Sequence, residues 1–197
     1  GRSGRLAPPF QRGSRGTVDR ALALDLQERF GERLLAPVRQ RHDETEIRVS
    51  LANAVDTLRV LHDDPAFDFE MLIDLCGVDT GDEMQVVYHL ASARSADWLR
   101  LIVPGIDRAA PRAPSATFLW PGAEWMEREA YDMFGIIFEG NRDLRRIYMP
   151  DDYQSHPLRK DFHLADDASR SPAAGVRNME RAGTPRDATT ATVVRRA

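Results

Sequence analysis

The sequence predicts an α+β fold: a two-layer sandwich, in which helices cover a small mixed sheet, followed by an extended irregular C-terminal arm. Three observations support this prediction. Segments with apolar residues at helical spacing flank a group of short apolar segments typical of strands. The strand-like segments follow one another closely, as in an α+β domain. Neither period continues beyond Phe138, although apolar residues remain frequent. The body is therefore assigned to residues 17–138 and the arm to residues 139–165.

The first part of the body alternates helix and strand. Apolar residues recur at i, i+4 spacing from Thr17 to Leu35, which predicts a helix that Gly31 ends. Residues 46–51 alternate apolar and polar side chains, as in a half-buried strand. A short helix is predicted over residues 53–64, with Val55, Leu58 and Leu61 on its inner side. The helix is expected to end there because the proline that follows disfavours its continuation.

The second part of the body contains most of the predicted sheet. Residues 67–79 indicate a strand, or a short helix that runs into a strand, and residues 84–92 and 97–104 indicate two more strands. Residues 93–96 fit a hairpin between the last two. After a loop, a short helix is predicted before Pro121-Gly122. A second helix is then predicted from Ala123 to Phe134, with Gly135 as its C′ residue.

Composition excludes several classes of protein. No apolar run approaches the roughly 20 residues that a membrane-spanning helix needs, so membrane association is expected only through a partner or a surface contact. Arginines concentrate at both ends and leave a net charge of −10 on residues 21–164, which argues against a nucleic-acid-binding face. Residues 1–16 and 166–197 are predicted to be disordered, because they are rich in small and polar residues without periodicity.

Cysteine and histidine content argues against independent chemistry. Cys76 is the single cysteine, so a disulfide within the chain, a structural zinc site and an iron–sulfur cluster are not expected; it is predicted to be a small buried hydrophobe. His89 is expected to face a sheet surface, and His156 to anchor a loop through a hydrogen bond rather than to transfer protons. Neither a phosphate-binding glycine loop nor a GxSxG nucleophile motif occurs.

The stretch EREAYDMFGIIF, beginning at Glu127, raises a choice between an active site and a surface covered by another protein. Glu127 and Glu129 are two apart on a helix, so they cannot easily act as a carboxylate pair. Arg128 stands at i,i+4 spacing from both Glu124 and Asp132, which favours a solvent-facing helix with a ladder of ion pairs. In the alternative interpretation, the opposite face packs against a partner or the core through Trp125, Met126, Met133 and Phe134.

Three motifs carry a resemblance to a known family. EREAYDMFGIIFEG, DLRRIYMPDDY and HPLRKDF resemble, in order and spacing, the signature of the thirty-kilodalton subunit, also called the C subunit, of NADH-quinone oxidoreductase, or respiratory complex I. FDFEMLIDLCGVD and MQVVYHLAS look like strands of that family, and the resemblance covers about residues 40–165. The chain departs from the family pattern at Asn141-Arg142, where His-Pro is expected, and at Ser155, where glycine is expected.

The resemblance implies a structural subunit of the peripheral arm of a proton-translocating enzyme. No catalytic, cofactor-binding or metal-binding residue is expected in this chain, while FMN and iron–sulfur clusters lie in partner subunits, and NADH and quinone are substrates of the complex. The chain would brace the quinone-site subunit and the terminal iron–sulfur cluster subunit, so that electrons pass from NADH to quinone. It would lie at the cytoplasmic face of the bacterial cell membrane, as a peripheral protein without nucleic-acid partners.

The resemblance also implies a partner interface formed by the last helix and the arm. Phe134, Ile147, Tyr148, Met149 and Leu158 are expected to be apolar anchors, and the basic pairs of the arm are expected to meet acidic groups. The expected interface residues are Glu127, Arg128, Glu129, Asp132, Phe134, Gly135, Leu144, Arg145, Arg146, Ile147, Pro150, His156, Pro157, Leu158, Arg159, Lys160 and Asp161.

Two alternatives stay open from the sequence. Related modules occur in membrane-bound hydrogenases and in complex I relatives fed by ferredoxin or F420, and nothing in this chain discriminates among electron donors. The other alternative is a free-standing protein-binding domain whose arm folds back on itself.

Overall fold

The computed structural model describes residues 15–41 and 44–163. The predictions for residues 1–14 and 166–197 lie outside these ranges. A 3-10 turn, Gly31–Arg33, follows the first helix. The elements are α1 (Arg15–Phe30), β1 (Arg39–Arg41), β2 (Glu44–Arg48), α2 (Leu51–Asp63), β3 (Met71–Asp79), β4 (Met84–Ala91), β5 (Trp98–Ile106), β6 (Arg112–Pro114), α3 (Ala123–Phe134) and β7 (Ile137–Glu139).

Five strands form a mixed sheet in the order β1-β2-β5-β4-β3. β2 and β5 pair in parallel, and the other neighbours pair antiparallel. β6 and β7 form a separate two-stranded parallel sheet. Three helices, a five-stranded mixed sheet and a small second sheet confirm the predicted α+β class.

The hydrophobic core lies between the helices and the main sheet. α1 packs on β2, α2 on β5 and α3 on β3. Inward-facing residues such as Ile47, Tyr88 and Leu101 join Leu26 and Leu58 of the helices in one buried cluster. This cluster fixes where α3 lies, and α3 carries most of the residues that the sequence singles out.

Gly77 allows α3 to approach the sheet closely. A Cβ atom at this position would lie 2.7 Å from the ring of Phe134 and 3.0 Å from Ile136. Real Cβ atoms do not approach other heavy atoms this closely, so the end of α3 reaches β3 because residue 77 has no side chain. The predicted interface residue Phe134 is therefore engaged inside the molecule along one side of its ring.

Several predicted boundaries hold and others do not. α3 and its C′ residue are confirmed, since Gly135 has a left-handed φ of 79°, and the hairpin between β4 and β5 is confirmed as well. The strand predicted over residues 46–51 ends at Arg48, because Leu51 already begins α2. The short helix predicted before Pro121 is a turn.

Cys76, predicted to be buried, is only half-buried.

A candidate docking surface built on α3 and the C-terminal arm

Asp132 of α3 holds the arm through its carboxylate. This side chain is fully buried. Its Oδ2 accepts hydrogen bonds from three consecutive backbone N–H groups, those of Ile147 (3.1 Å), Tyr148 (2.7 Å) and Met149 (2.9 Å). Its Oδ1 accepts a charge-assisted bond of 2.6 Å from Arg146 Nη1. One carboxylate thus fixes four successive residues of the arm against the helix.

The electrostatics of Asp132 follow from these contacts. Burial alone would raise the pKa of the carboxyl, because it penalises the charged form. The N–H bonds from Met149 and Tyr148, together with Arg146, outweigh that effect and hold the pKa of Asp132 below its ordinary value. The group is therefore a fixed anion at neutral pH and does not serve as a proton donor.

Arg128 secures the same part of the arm from the preceding turn of α3. Its Nε donates to the carbonyl of Arg145 (3.2 Å) and its Nη2 to the carbonyl of Arg146 (3.1 Å). The guanidinium lies over the ring of Trp125, with 4.7 Å between its Cζ and the ring centroid. Arg128 is buried, and these carbonyls replace water at its Nε and Nη2, whereas its Nη1 has no hydrogen-bond partner in the described part of the chain and lies 3.9 Å from the carboxylate of Asp143.

His156 closes the arm over the C-terminal end of α3. Its Nδ1 donates to the carbonyl of Asp132 at 3.0 Å, which confirms the predicted loop anchor. Its ring packs on Gly135, where a Cβ atom would lie 2.7 Å from the imidazole. Burial lowers the pKa of His156, so the ring is neutral at neutral pH. Two residues further along the arm, the Leu158 N–H donates a hydrogen bond to the carbonyl of Met133 (3.1 Å), which also holds the arm against α3.

Glu127 fastens the start of the arm and the loop before α3. Its Oε1 accepts the N–H of Ala116 at 2.6 Å, and its Oε2 accepts the amide of Asn141 at 2.8 Å. Burial raises the pKa of Glu127 although both bonds act in the opposite direction. Asn141, one of the departures from the family pattern, thus has a structural partner within the chain.

A second carboxylate holds the far end of the arm. Asp79, at the end of β3, forms a two-point pair with Arg108 at 3.0 and 2.9 Å and accepts the N–H of Lys160 at 2.8 Å. The Nζ of Lys160 also donates to the carbonyl of Thr80 (2.7 Å). Burial opposes ionisation, yet the bonds from Arg108 and Lys160 lower the pKa of Asp79 to about 2.

Large apolar side chains remain on the outside of this clamped arm. Tyr148 is 62% exposed and Leu158 is 56% exposed, although the backbone N–H of each is bound to the C-terminal end of α3. Trp125 is 58% exposed near the start of the same helix. Within residues 15–41 and 44–163, no group of three or more His, Cys, Asp or Glu side chains has a geometry that would hold a metal ion. Polar contacts thus hold the arm against α3, while large apolar side chains stay exposed on its outer side.

Comparison with protein families decides the identity of the chain. The family model of the respiratory-chain NADH dehydrogenase 30 kDa subunit matches residues 47–168, which is more than half of the chain. The chain belongs to this family. It is therefore a subunit of the NADH-quinone oxidoreductase complex, as the sequence resemblance implies.

Individual relatives agree with the family assignment. The NADH-quinone oxidoreductase C subunit of Roseiflexus sp. (strain RS-1) is 44% identical over 151 residues, which cover 75% of this chain and 86% of the relative. A C subunit of the same enzyme from Rhizobium meliloti (strain 1021) is 42% identical over 146 residues, covering 73% of this chain and 71% of the relative.

Solved structures show the same fold. A trypsin-resistant fragment (1–134) of Nqo5 matches with a TM-score of 0.51 and 28% identity, covering 62% of this chain and 98% of the fragment. A chain of the archaeal membrane-bound sulfane sulfur reductase matches with a TM-score of 0.61, covering 89% of this chain and 98% of that chain. The identity to the reductase chain is 24%, so this similarity concerns the fold alone.

The interface residues predicted from the family resemblance divide into three groups. Buried positions are Glu127, Arg128, Asp132 and Gly135. Half-buried positions are Phe134, Leu144, Arg146, Ile147, His156, Pro157 and Arg159. Exposed positions are Glu129, Arg145, Pro150, Leu158, Lys160 and Asp161. A role in partner binding stays a prediction for all of them.

The solvent-facing interpretation of the Glu127 helix is wrong. Glu127 and Arg128 are buried, and the expected ladder does not form, because Arg128 binds arm carbonyls and Asp132 pairs with Arg146. Sequence reasoning also missed the pair between Asp79 and Arg108. No local signal marks that pair, since 29 residues separate its members.

Proposed function

We propose that the chain is a cofactor-free structural subunit of the peripheral arm of complex I. It braces the quinone-site subunit and the subunit that carries the terminal iron–sulfur cluster, so that electrons from NADH reach quinone. FMN and the iron–sulfur clusters are proposed to belong to other subunits of the complex. The single cysteine of this chain supports this for the clusters, since a cluster needs several thiolates. Electron transfer across subunits requires fixed distances, and a rigid body held between two partners supplies them.

The observation that carries the proposal is the preordered arm. Buried contacts from Asp132, Arg128 and Asp79 fix its backbone, while Tyr148 and Leu158 face outward. A surface that is ordered before docking loses less conformational entropy on association, and aromatic anchors often dominate the binding energy. The inner polar residues therefore shape the docking surface, and the outer apolar residues contact the partner.

The proposed location is the cytoplasmic face of the bacterial membrane, as a peripheral part of the assembly. No helix in the described part of the chain is both long enough and apolar enough to cross a bilayer. We propose that the membrane contact is made through the complex.

Purification of the tagged chain from its native membranes tests the proposal. Mass spectrometry should recover the quinone-site and terminal-cluster subunits, and the preparation should reduce quinone with NADH. Recovery of nickel–iron hydrogenase subunits instead would assign the chain to a related enzyme. Recovery of the chain alone after gentle extraction would contradict the proposal and favour a free-standing domain.

Substitutions on the outside of the arm separate docking from folding. Deleting residues 139–163 would remove the hydrogen-bond partners of the buried Asp132 and Arg128 and the Lys160 N–H that Asp79 accepts, so loss of assembly would have two causes. Replacing the exposed Tyr148 and Leu158 leaves every backbone contact of the arm in place. Failure of such variants to bind partners then reports on the docking surface itself.

A further inference from the structure

Strand β3 forms one edge of the main sheet, and its outer side is unpaired within the described chain. β3 pairs with β4 on one side and, among residues 15–41 and 44–163, has no strand on the other. It is nine residues long, whereas β1 at the opposite edge has three. Long unpaired edges present a row of backbone donors and acceptors to any extended chain. An edge of this length therefore needs either protection or a partner.

β3 carries little of the protection that free edges normally show. Natural edges are blunted by charged side chains, especially lysine, by prolines, by β-bulges or by short length. β3 has neither lysine nor proline, and Asp74 is the exposed charge in its middle. One irregularity interrupts its register, between Leu72 and Asp74. Met71, Ile73 and Val78 are 39%, 42% and 36% exposed, so apolar side chains stand along the strand. These features are typical of an edge that another chain covers.

The charged side chains of β3 and its flanking residues are all acidic, although Arg108 and Lys160 from elsewhere in the chain lie at its Asp79 end. Residues 70–83 contain five acids and no lysine or arginine. Asp79 is paired with Arg108, whereas Asp74 is exposed in the middle of the strand, and its carboxylate has no hydrogen bond or ion pair with the described residues. A second copy of the chain paired along this edge would bring the same acids together. A strand with basic residues would instead complement them.

We propose that the β3 edge docks an extended, basic segment of another subunit by β-strand addition. Main-chain hydrogen bonds would supply affinity, alternate side chains would cover Ile73 and Val78, and a lysine or arginine would lie opposite Asp74. The arm contacts β3 at Asp79, through Lys160, whereas Ile73 and Asp74 are exposed farther along the strand. A test at Ile73 and Asp74 can therefore fail without contradicting the docking role of Tyr148 and Leu158.

Site-specific photo-crosslinking in the assembled complex tests this proposal. A benzophenone amino acid genetically placed at Ile73 should crosslink to another subunit, in a segment with a lysine or arginine within a few residues. The same probe at Leu24, an exposed residue of α1, reports crosslinking away from the edge. Crosslinks to a second copy, to residues 164–197 of the same chain or to no protein would overturn the proposal.

Charge reversal tests the expected chemistry of the segment. Asp74→Lys should lower the crosslink yield from Ile73 about fivefold, since an exposed ion pair contributes up to about that factor and charge reversal adds repulsion. Asp56→Lys makes the same charge change at an exposed position of α2, away from the edge. It should leave the crosslink yield from Ile73 unchanged. Equal yields for Asp74→Lys and Asp56→Lys would refute a basic partner segment.

Discussion

Asp132→Asn should destabilise the chain by about 3 kcal/mol, because a hydrogen bond to a charged group contributes about 1.5–3 kcal/mol and the half-buried Arg146 loses its counterion. The amide keeps one oxygen for the N–H groups of Ile147, Tyr148 and Met149, but it is neutral, and its NH₂ cannot accept a bond from Arg146. The perturbation changes charge without changing size, so a cavity does not add to the effect.

Urea unfolding measures this effect on the full chain. With a slope of about 1–3 kcal/mol per molar urea, the midpoint should fall by about 1–3 M. Amide hydrogen exchange should accelerate at Ile147, Tyr148 and Met149 before it changes in the sheet. Asp151→Asn is the matched control, since Asp151 is an exposed carboxylate of the same arm. If Asp132→Asn matched this control in stability and in exchange, Asp132 would not hold the arm.

Two further predictions test other contacts. The folded pKa of Asp79, about 2, is below its ordinary value of 3.8, so its contribution to stability is complete above about pH 4 and is lost as the pH falls toward 2. The difference in unfolding free energy between wild type and Asp79→Asn should shrink across that window, and a constant difference would contradict the assignment. Gly77→Ala should destabilise the chain by about 1–3 kcal/mol, because the new methyl overlaps Phe134. Gly122→Ala, where no atom lies within 4 Å of the added Cβ, should change the unfolding free energy by less than about 0.5 kcal/mol, and equal effects would show that α3 does not need Gly77.

Sequence periodicity predicted the elements that have strong local signals. α3 has an apolar face, a proline-glycine break before it and a glycine after it, and both of its ends were predicted correctly. The hairpin between β4 and β5 also has a local signal, since two apolar strands flank a short polar turn. In contrast, β6 and β7 have three residues each and pair across more than 20 residues of chain, so no periodicity could reveal them.

The interior of the candidate site depends on contacts that sequence spacing does not encode. Spacing placed Arg128 and Asp132 at i,i+4 and suggested that they pair with each other. In the folded chain each finds a better partner in the arm, because the arm offers unpaired carbonyls to Arg128 and three N–H groups with Arg146 to Asp132. The apolar content of the irregular arm suggested that it binds a partner. Composition could not show that backbone groups of the arm form hydrogen bonds with side chains of α3.

Recovery of partner subunits by an outer-surface variant tests the central claim most directly. The claim is that inner contacts fix the arm while Tyr148 and Leu158 contact the partner. Tagged chains carrying Tyr148→Ala with Leu158→Ala, or Leu24→Ala with Leu35→Ala as an equally exposed control, would be purified from native membranes. The account predicts unchanged unfolding free energy for both and loss of the quinone-site and terminal-cluster subunits for the first alone. Full recovery of those subunits by the Tyr148 and Leu158 variant would contradict it.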